Sequence, residues 1–157
     1  MSIDLSRPII IDEEKLRQKV LEVTQSSTEV ERIVKQRLGQ DDYRNALLTY
    51  WGGACAVTGL DLPALLRASH AKPWAHCDND EERLDTFNGF LLVAQLDLLF
   101  DKGYISFDNQ GHILISSQLN EDHCKILGIR PDMKLKWIIE EHKLYLNYHR
   151  EKIFKDT

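Results

Sequence analysis

The tightest constraint on the fold is the order of parts between Leu65 and Asp101. Leu65 to Ser69 reads as a short strand that delivers His70, and Pro73 stops the ladder because it has no N–H to donate. Residues 75 to 87 are polar and acidic and read as a loop. Asn88-Gly89 then leads into the apolar run Phe90-Leu91-Leu92-Val93, a returning strand. Ala94 to Phe100 follow with helical spacing, ended by Gly103. This order predicts two strands followed by a helix. It gathers one histidine, one asparagine and two aspartates, Asp97 and Asp101, into one short unit.

The flanking chain supplies helices before the unit and a hairpin and helices after it. Asp12-Glu13-Glu14 ahead of Leu16, Val20 and Leu21 predicts an acidic-capped helix that breaks at Ser26-Ser27. Thr28 with Glu31 three residues on is a capping-box signature, and Gly39 is the expected stop of the helix that follows. Asp41 or Asp42 caps the next helix, with Tyr43, Ala46, Leu47 and Tyr50 on one stripe, and Gly52-Gly53 ends it. Cys55-Ala56-Val57 is a short apolar run closed by Thr58-Gly59. Tyr104 to Phe107 and His112 to Ser116 flank a turn and predict a hairpin. Asn120 caps a short helix that Gly128 ends. Lys134 to Ile139 reads as a last strand and Glu140 to Phe154 as a last helix.

A chain of 157 residues is one domain by size and buries a core without staples. No apolar run approaches a membrane span, and Met1 to Leu5 show no basic-then-apolar leader, so neither membrane nor signal peptide is expected. Cys55, Cys77 and Cys124 are widely spaced, with no Cys-x-x-Cys. This argues against a disulfide framework or a zinc ribbon and fits a reducing cytoplasm, the expected location. Net charge is −5, which runs against nucleic-acid binding as a global property. The acids cluster at residues 12–14 and 78–85, however. Bases gather at Arg32, Lys35, Arg37 and Arg44 and again between Lys125 and Lys143, so patches of opposite sign are expected.

The residue types in the unit suit phosphodiester hydrolysis. An imidazole, with its reference pKa near 6.5, takes a proton from attacking water at neutral pH. An anionic oxygen such as Asp97 suits a hard divalent cation, Mg²⁺ or Mn²⁺, which stabilises charge on phosphorus. Asp97 and Asp101, at i and i+4, share a helix face. Asn88 either coordinates the ion or ties the two strands together. Each residue has a plainer reading: a structural histidine, an Asn-Gly turn, a solvated pair of acids, a core Cys55. Arg37 and Arg44 are either exposed helix charges or phosphate contacts. His76 and Cys77 have no companion at metal spacing, and His112, His123, His142 and His149 are scattered.

At these residues the chain resembles the HNH endonuclease family, in its bacterial restriction-type branch. The resemblance runs through Gly39-Gln40, Tyr43-Arg44 and Leu47-Leu48 to Cys55-Ala56-Val57-Thr58-Gly59. It continues through Leu66 to Trp74, Asn88 to Leu92 and Leu96 to Phe107, and returns at Tyr145 to Glu151. It covers about residues 30 to 155. It implies an α+β fold with a ββα-metal core, N-terminal helices, an extra β-hairpin and a C-terminal helix. Residues 1–27 would be an N-terminal helical extension and 28–157 one nuclease domain. His70 would be the general base, Asn88 the middle asparagine, and Asp97 would stand where many members carry a final histidine. Ser69 departs from the aspartate or histidine that many members place before the base, which leaves the first ligand position to Ser69, a water or a carbonyl. The metal set is then Asp97, Asn88, Ser69 and Asp101, with one divalent cation. The nucleic-acid contacts are Arg37, Arg44, Arg67 and Lys72, and the partner is double-stranded DNA.

The function so implied is a metal-dependent DNA endonuclease with a restriction or defence role. The competing reading is a catalytically degenerate HNH-fold module that holds DNA or a protein. A third is one working part of a larger restriction or defence system, as a homodimer or a partner subunit.

Overall fold

The computed structural model describes residues 29–156. The predicted helix at Leu16 to Leu21 and the extension 1–27 lie outside them. Within them the order is helix α1 (Glu29–Tyr50), strand β1 (Leu66–His70), a short helix α2 (Asp80–Leu84), strand β2 (Gly89–Val93) and helix α3 (Ala94–Asp101). Then come β3 (Ile105–Phe107), β4 (Ile113–Ile115), α4 (Glu121–Leu127) and α5 (Glu140–Lys152). The architecture is α+β, with two separate two-stranded antiparallel sheets, β1–β2 and β3–β4.

Three expectations are corrected. Gly39 does not end a helix: α1 runs unbroken for 22 residues. A glycine inside a helix costs about 1 kcal/mol against alanine, which tertiary packing overrides. Here a Cβ at position 39 would lie 3.3 Å from the Leu84 side chain, so the glycine lets α2 approach α1. Residues 75 to 87 are not a plain loop. A 3-10 turn at Trp74–His76 precedes α2, whose first turn is acidic and whose Asn79 cap accepts the Glu82 N–H. Lys134 to Ile139 form no strand. Their contribution to pairing is one isolated antiparallel bridge between Lys134 and His112, while Leu135 packs into the core. The caps of α4 follow the sequence: Asn120 accepts the His123 N–H, and Gly128 closes the helix at φ 71°.

The core lies between α1, the β1–β2 pair and the C-terminal elements. Leu47, Leu48 and Trp51 from α1 and its end meet Phe90, Leu91 and Leu92 of β2, Phe100 of α3 and Phe107 of β3, all at most 1 % exposed. Phe90 and Phe100 meet edge to face, centroids 6.0 Å apart. β2 buries both faces, which explains its unbroken apolar run.

A buried histidine fastens α5 to this core. The His149 ring stacks on Phe100 at 3.8 Å and 6°. Its Nε2–H donates to the Phe100 carbonyl at 2.7 Å, because a carbonyl only accepts. Its Nδ1 then accepts the Ser106 hydroxyl at 2.8 Å. Burial pushes the His149 pKa down to about 4, despite the carbonyl's opposing pull. The folded pKa thus lies below the unfolded value of about 6.5, and the unfolded chain binds the extra proton between those values. Stability is full above about pH 6.5 and falls as pH drops towards 4. Urea titrations at about pH 7 and about pH 4.5 should differ by about 2–3 kcal/mol in unfolding free energy from this group. A flat profile across that window would show that His149 is not held neutral.

Candidate active site

The β1–β2 register pairs His70 with Gly89 and Ser69 with Phe90. Successive strand side chains point to opposite faces, so His70 and Ser69 serve different neighbours. His70 faces α1, where the Tyr43 ring stacks on the imidazole with centroids 4.1 Å apart and planes 18° apart. Trp74 meets the ring edge-on at 5.8 Å. Ser69 faces α3, and its hydroxyl donates to the Asp97 carboxylate. The 27 positions that separate His70 from Asp97 in sequence are thereby closed to one strand residue.

The protonation geometry of His70 is set by its partner. Nε2 lies 2.7 Å from the Arg83 carbonyl, which only accepts, so Nε2 carries the hydrogen and Nδ1 keeps the lone pair. Burial lowers the His70 pKa, while the bond to Arg83 acts the other way. The ring is therefore a neutral base at neutral pH with one basic atom.

Arg83 is itself fixed. Its guanidinium donates to the carbonyls of Trp74 (3.2 Å) and Cys77 (3.0 Å), pairs with Asp80 (3.0 Å) and lies over the Trp74 ring. Asn88 holds the same segment from the other side. It is fully buried, and its Oδ1 accepts the Lys72 N–H at 2.8 Å. Its Nδ2 donates to the Glu82 carbonyl at 3.0 Å and the Lys72 carbonyl at 3.2 Å. The amide thus joins the two ends of the 72–88 segment and reaches α2 between them.

Asp97 is half-buried. Burial raises its pKa, the Ser69 hydroxyl and the charge of Arg67 oppose that rise, and Asp101 adds to it. Asp97 and Asp101 thus sense each other across one helical turn of α3. Among the described residues, no group of three or more His, Cys, Asp or Glu side chains gathers as a metal cluster. Two carboxylates beside a hydroxyl nevertheless form an all-oxygen donor set. That set fits Mg²⁺ or Mn²⁺, which takes one or two carboxylates and completes its shell with water and phosphate oxygens. It does not fit zinc.

The basic candidates divide. Arg37 and Arg67 are exposed. Arg44 turns inward and donates to the carbonyls of Leu66 (2.7 Å) and Pro63 (2.8 Å), bracing the start of β1. The Lys72 ammonium pairs with Glu82 (2.9 Å) and Asp78 (3.5 Å) and lies over the Tyr148 ring. Two groups that touch His70 escape the sequence reading. Tyr43 sits on the apolar stripe of a helix and reads as core, and the Arg83 carbonyl is main chain, which no side-chain pattern reveals. Asn79 ahead of three acids was the available signal for the helix that presents that carbonyl.

A sequence model described as HNH endonuclease matches residues 55–108, about a third of the chain, which includes His70, Asn88, Asp97 and Asp101. No curated protein matches the chain.

Gly89 makes the approach of these parts possible. A Cβ there would lie 1.7 Å from the Tyr43 hydroxyl and 2.6 Å from the Ser69 carbonyl, so a side chain must displace one or both. Overpacking of this kind costs about 1–3 kcal/mol, occasionally more. Gly89→Ala should lower the unfolding free energy by at least about 2 kcal/mol. It should also separate the Tyr43 and His70 rings, read by denaturant melts and aromatic proton shifts. An alanine variant as stable as the parent, with unmoved shifts, would contradict the close approach.

Proposed function

We propose, from the premise that residues 55–108 belong to the HNH endonuclease family, that the protein is a metal-dependent endonuclease acting on double-stranded DNA. One observation carries the reading. A half-buried histidine has its proton held on Nε2 by the Arg83 carbonyl, and it neighbours the serine that engages Asp97. In this reading β1, β2 and α3 form the ββα-metal finger.

The geometry supports the following roles. Nδ1 of His70, the basic ring atom, takes a proton from the water that attacks phosphorus. Asp97 and Asp101 would hold the divalent cation, with Ser69 orienting Asp97 through the hydrogen its hydroxyl donates. When bound, such a cation supplies Lewis-acid stabilisation of the charge on the phosphate and the leaving oxygen. Asn88 keeps the segment that carries the Arg83 carbonyl in place. Arg67, exposed beside Asp97, and Arg37, exposed on α1, are the phosphate contacts. A restriction or defence setting rests on the resemblance alone.

A second reading, a finger that binds without cutting, is favoured by Ser69 at a ligand position and by the net charge of −5. Supercoiled plasmid incubated with the pure protein and Mg²⁺ or Mn²⁺ separates the two. Cleavage is expected with either ion and not in a chelator. His70→Ala should slow it by about 10²–10⁴-fold, and Asp97→Asn should raise the cation concentration needed, with both variants keeping the parent's melting profile. Equal cutting by parent and His70→Ala would remove the base assignment. A salt-dependent mobility shift with no cutting under any cation would establish the binding module instead.

A further inference from the structure

The ring that lies against His70 comes from outside the matched stretch. We propose that Tyr43, on α1, is a positioning residue for the general base, so that α1 belongs to the catalytic unit rather than to its scaffold. The inference rests on the endonuclease reading of His70.

Two restraints act on the imidazole, and they are different in kind. The Nε2–H bond to Arg83 fixes one atom, yet a ring held at one atom still swings about that bond. The Tyr43 face, 4.1 Å away and 18° from parallel, opposes that swing, because tilting either ring forfeits contact across the whole stack. The tyrosine can oppose it because its own plane is pinned. Tyr43 is 2 % exposed, and its hydroxyl donates to the Asn88 carbonyl at 2.7 Å. Asn88 directly precedes Gly89, the cross-strand partner of His70. The phenol therefore touches both strands at once: its ring restrains the base on β1, and its hydroxyl grips the residue before β2. A phenylalanine would keep the first contact and lose the second.

Position matters because a displacement of about 1 Å at a reacting group can cost on the order of 10²-fold in rate. Trp74 lies perpendicular to the ring and does not stack on it. Among the described residues, Tyr43 is the aromatic side chain stacked on His70.

The test compares Tyr43→Leu and Tyr43→Phe with the parent protein. Plasmid cleavage under saturating Mn²⁺ is followed as kcat and KM, and His70 is followed by long-range ¹H–¹⁵N correlation without added metal. For Tyr43→Leu we expect a fall in kcat of about 10- to 100-fold with KM for DNA within about twofold. The single Nε2–H tautomer of the parent should become a tautomer mixture. Tyr43→Phe, which keeps the stacked ring and loses the hydroxyl bond to Asn88, should fall between Tyr43→Leu and the parent in both kcat and tautomer population. If Tyr43→Leu does not fold, the parent decides alone. The stack demands upfield-shifted His70 ring protons, and ordinary shifts there would overturn the proposal, as would a Tyr43→Leu protein with parental kcat and one tautomer. A parent that never cuts DNA would fail the endonuclease reading while leaving the ring shifts to judge the stack.

Discussion

A single buried amide holds the segment between β1 and β2 in shape. The Asn88 side chain is removed from water and finds its partners on the main chain of Lys72 and Glu82 and at the Cys77 sulfur. An amide buried without partners would cost about 1–3 kcal/mol, so the chain between the strands is bound to run where those carbonyls and that N–H meet it. That course puts α2 against α1, presents the Arg83 carbonyl to His70, and leaves the Asn88 carbonyl for Tyr43. The ion pairs of Lys72 with Glu82 and Asp78 reinforce the path from the surface, where screening makes them the weaker contributors.

Strand alternation then sorts the chemistry. Neighbouring residues on β1 send the imidazole to one face and the hydroxyl to the other, so the base is packed by aromatic rings and the carboxylate by a polar contact. The two environments differ accordingly. His70 is desolvated among Tyr43 and Trp74, which favours its neutral form. Asp97 is partly desolvated too, and burial with the neighbouring Asp101 raises its pKa against the opposing pull of Ser69 and Arg67. The imidazole and the carboxylate thus take their surroundings from opposite sides of one backbone.

How much of this was legible in the sequence follows from the kind of contact involved. Both strands, α3, the β3–β4 hairpin and the Asn120 and Gly128 ends of α4 were readable, because each rests on local patterning or a local cap. Gly39 misled because its absent side chain serves Leu84, distant in sequence, and not a helix end. Lys134 to Ile139 misled because an alternating pattern shows which side chains can be buried. It does not show whether a partner strand exists, and among the described residues the pairing stops at one isolated bridge to His112. The order His70, Asn88, Asp97 marked the stretch that the family model matches. The proton's place on His70 depends on a carbonyl, and the stacking ring arrives from a helix whose spacing reads as ordinary core, so neither could be read before the fold was known.

The contact of His149 with Phe100 and Ser106 bears on how portable the finger is. The helix that carries Asp97 ends against a ring contributed from the far end of the chain, and the strand after it gives its buried hydroxyl to the same imidazole. A segment trimmed to β1, β2 and α3 and grafted onto a foreign scaffold would bare the Phe100 face at the end of that helix. In this protein the β1–β2–α3 unit and its C-terminal neighbour share one core, and a transplant would have to bring both.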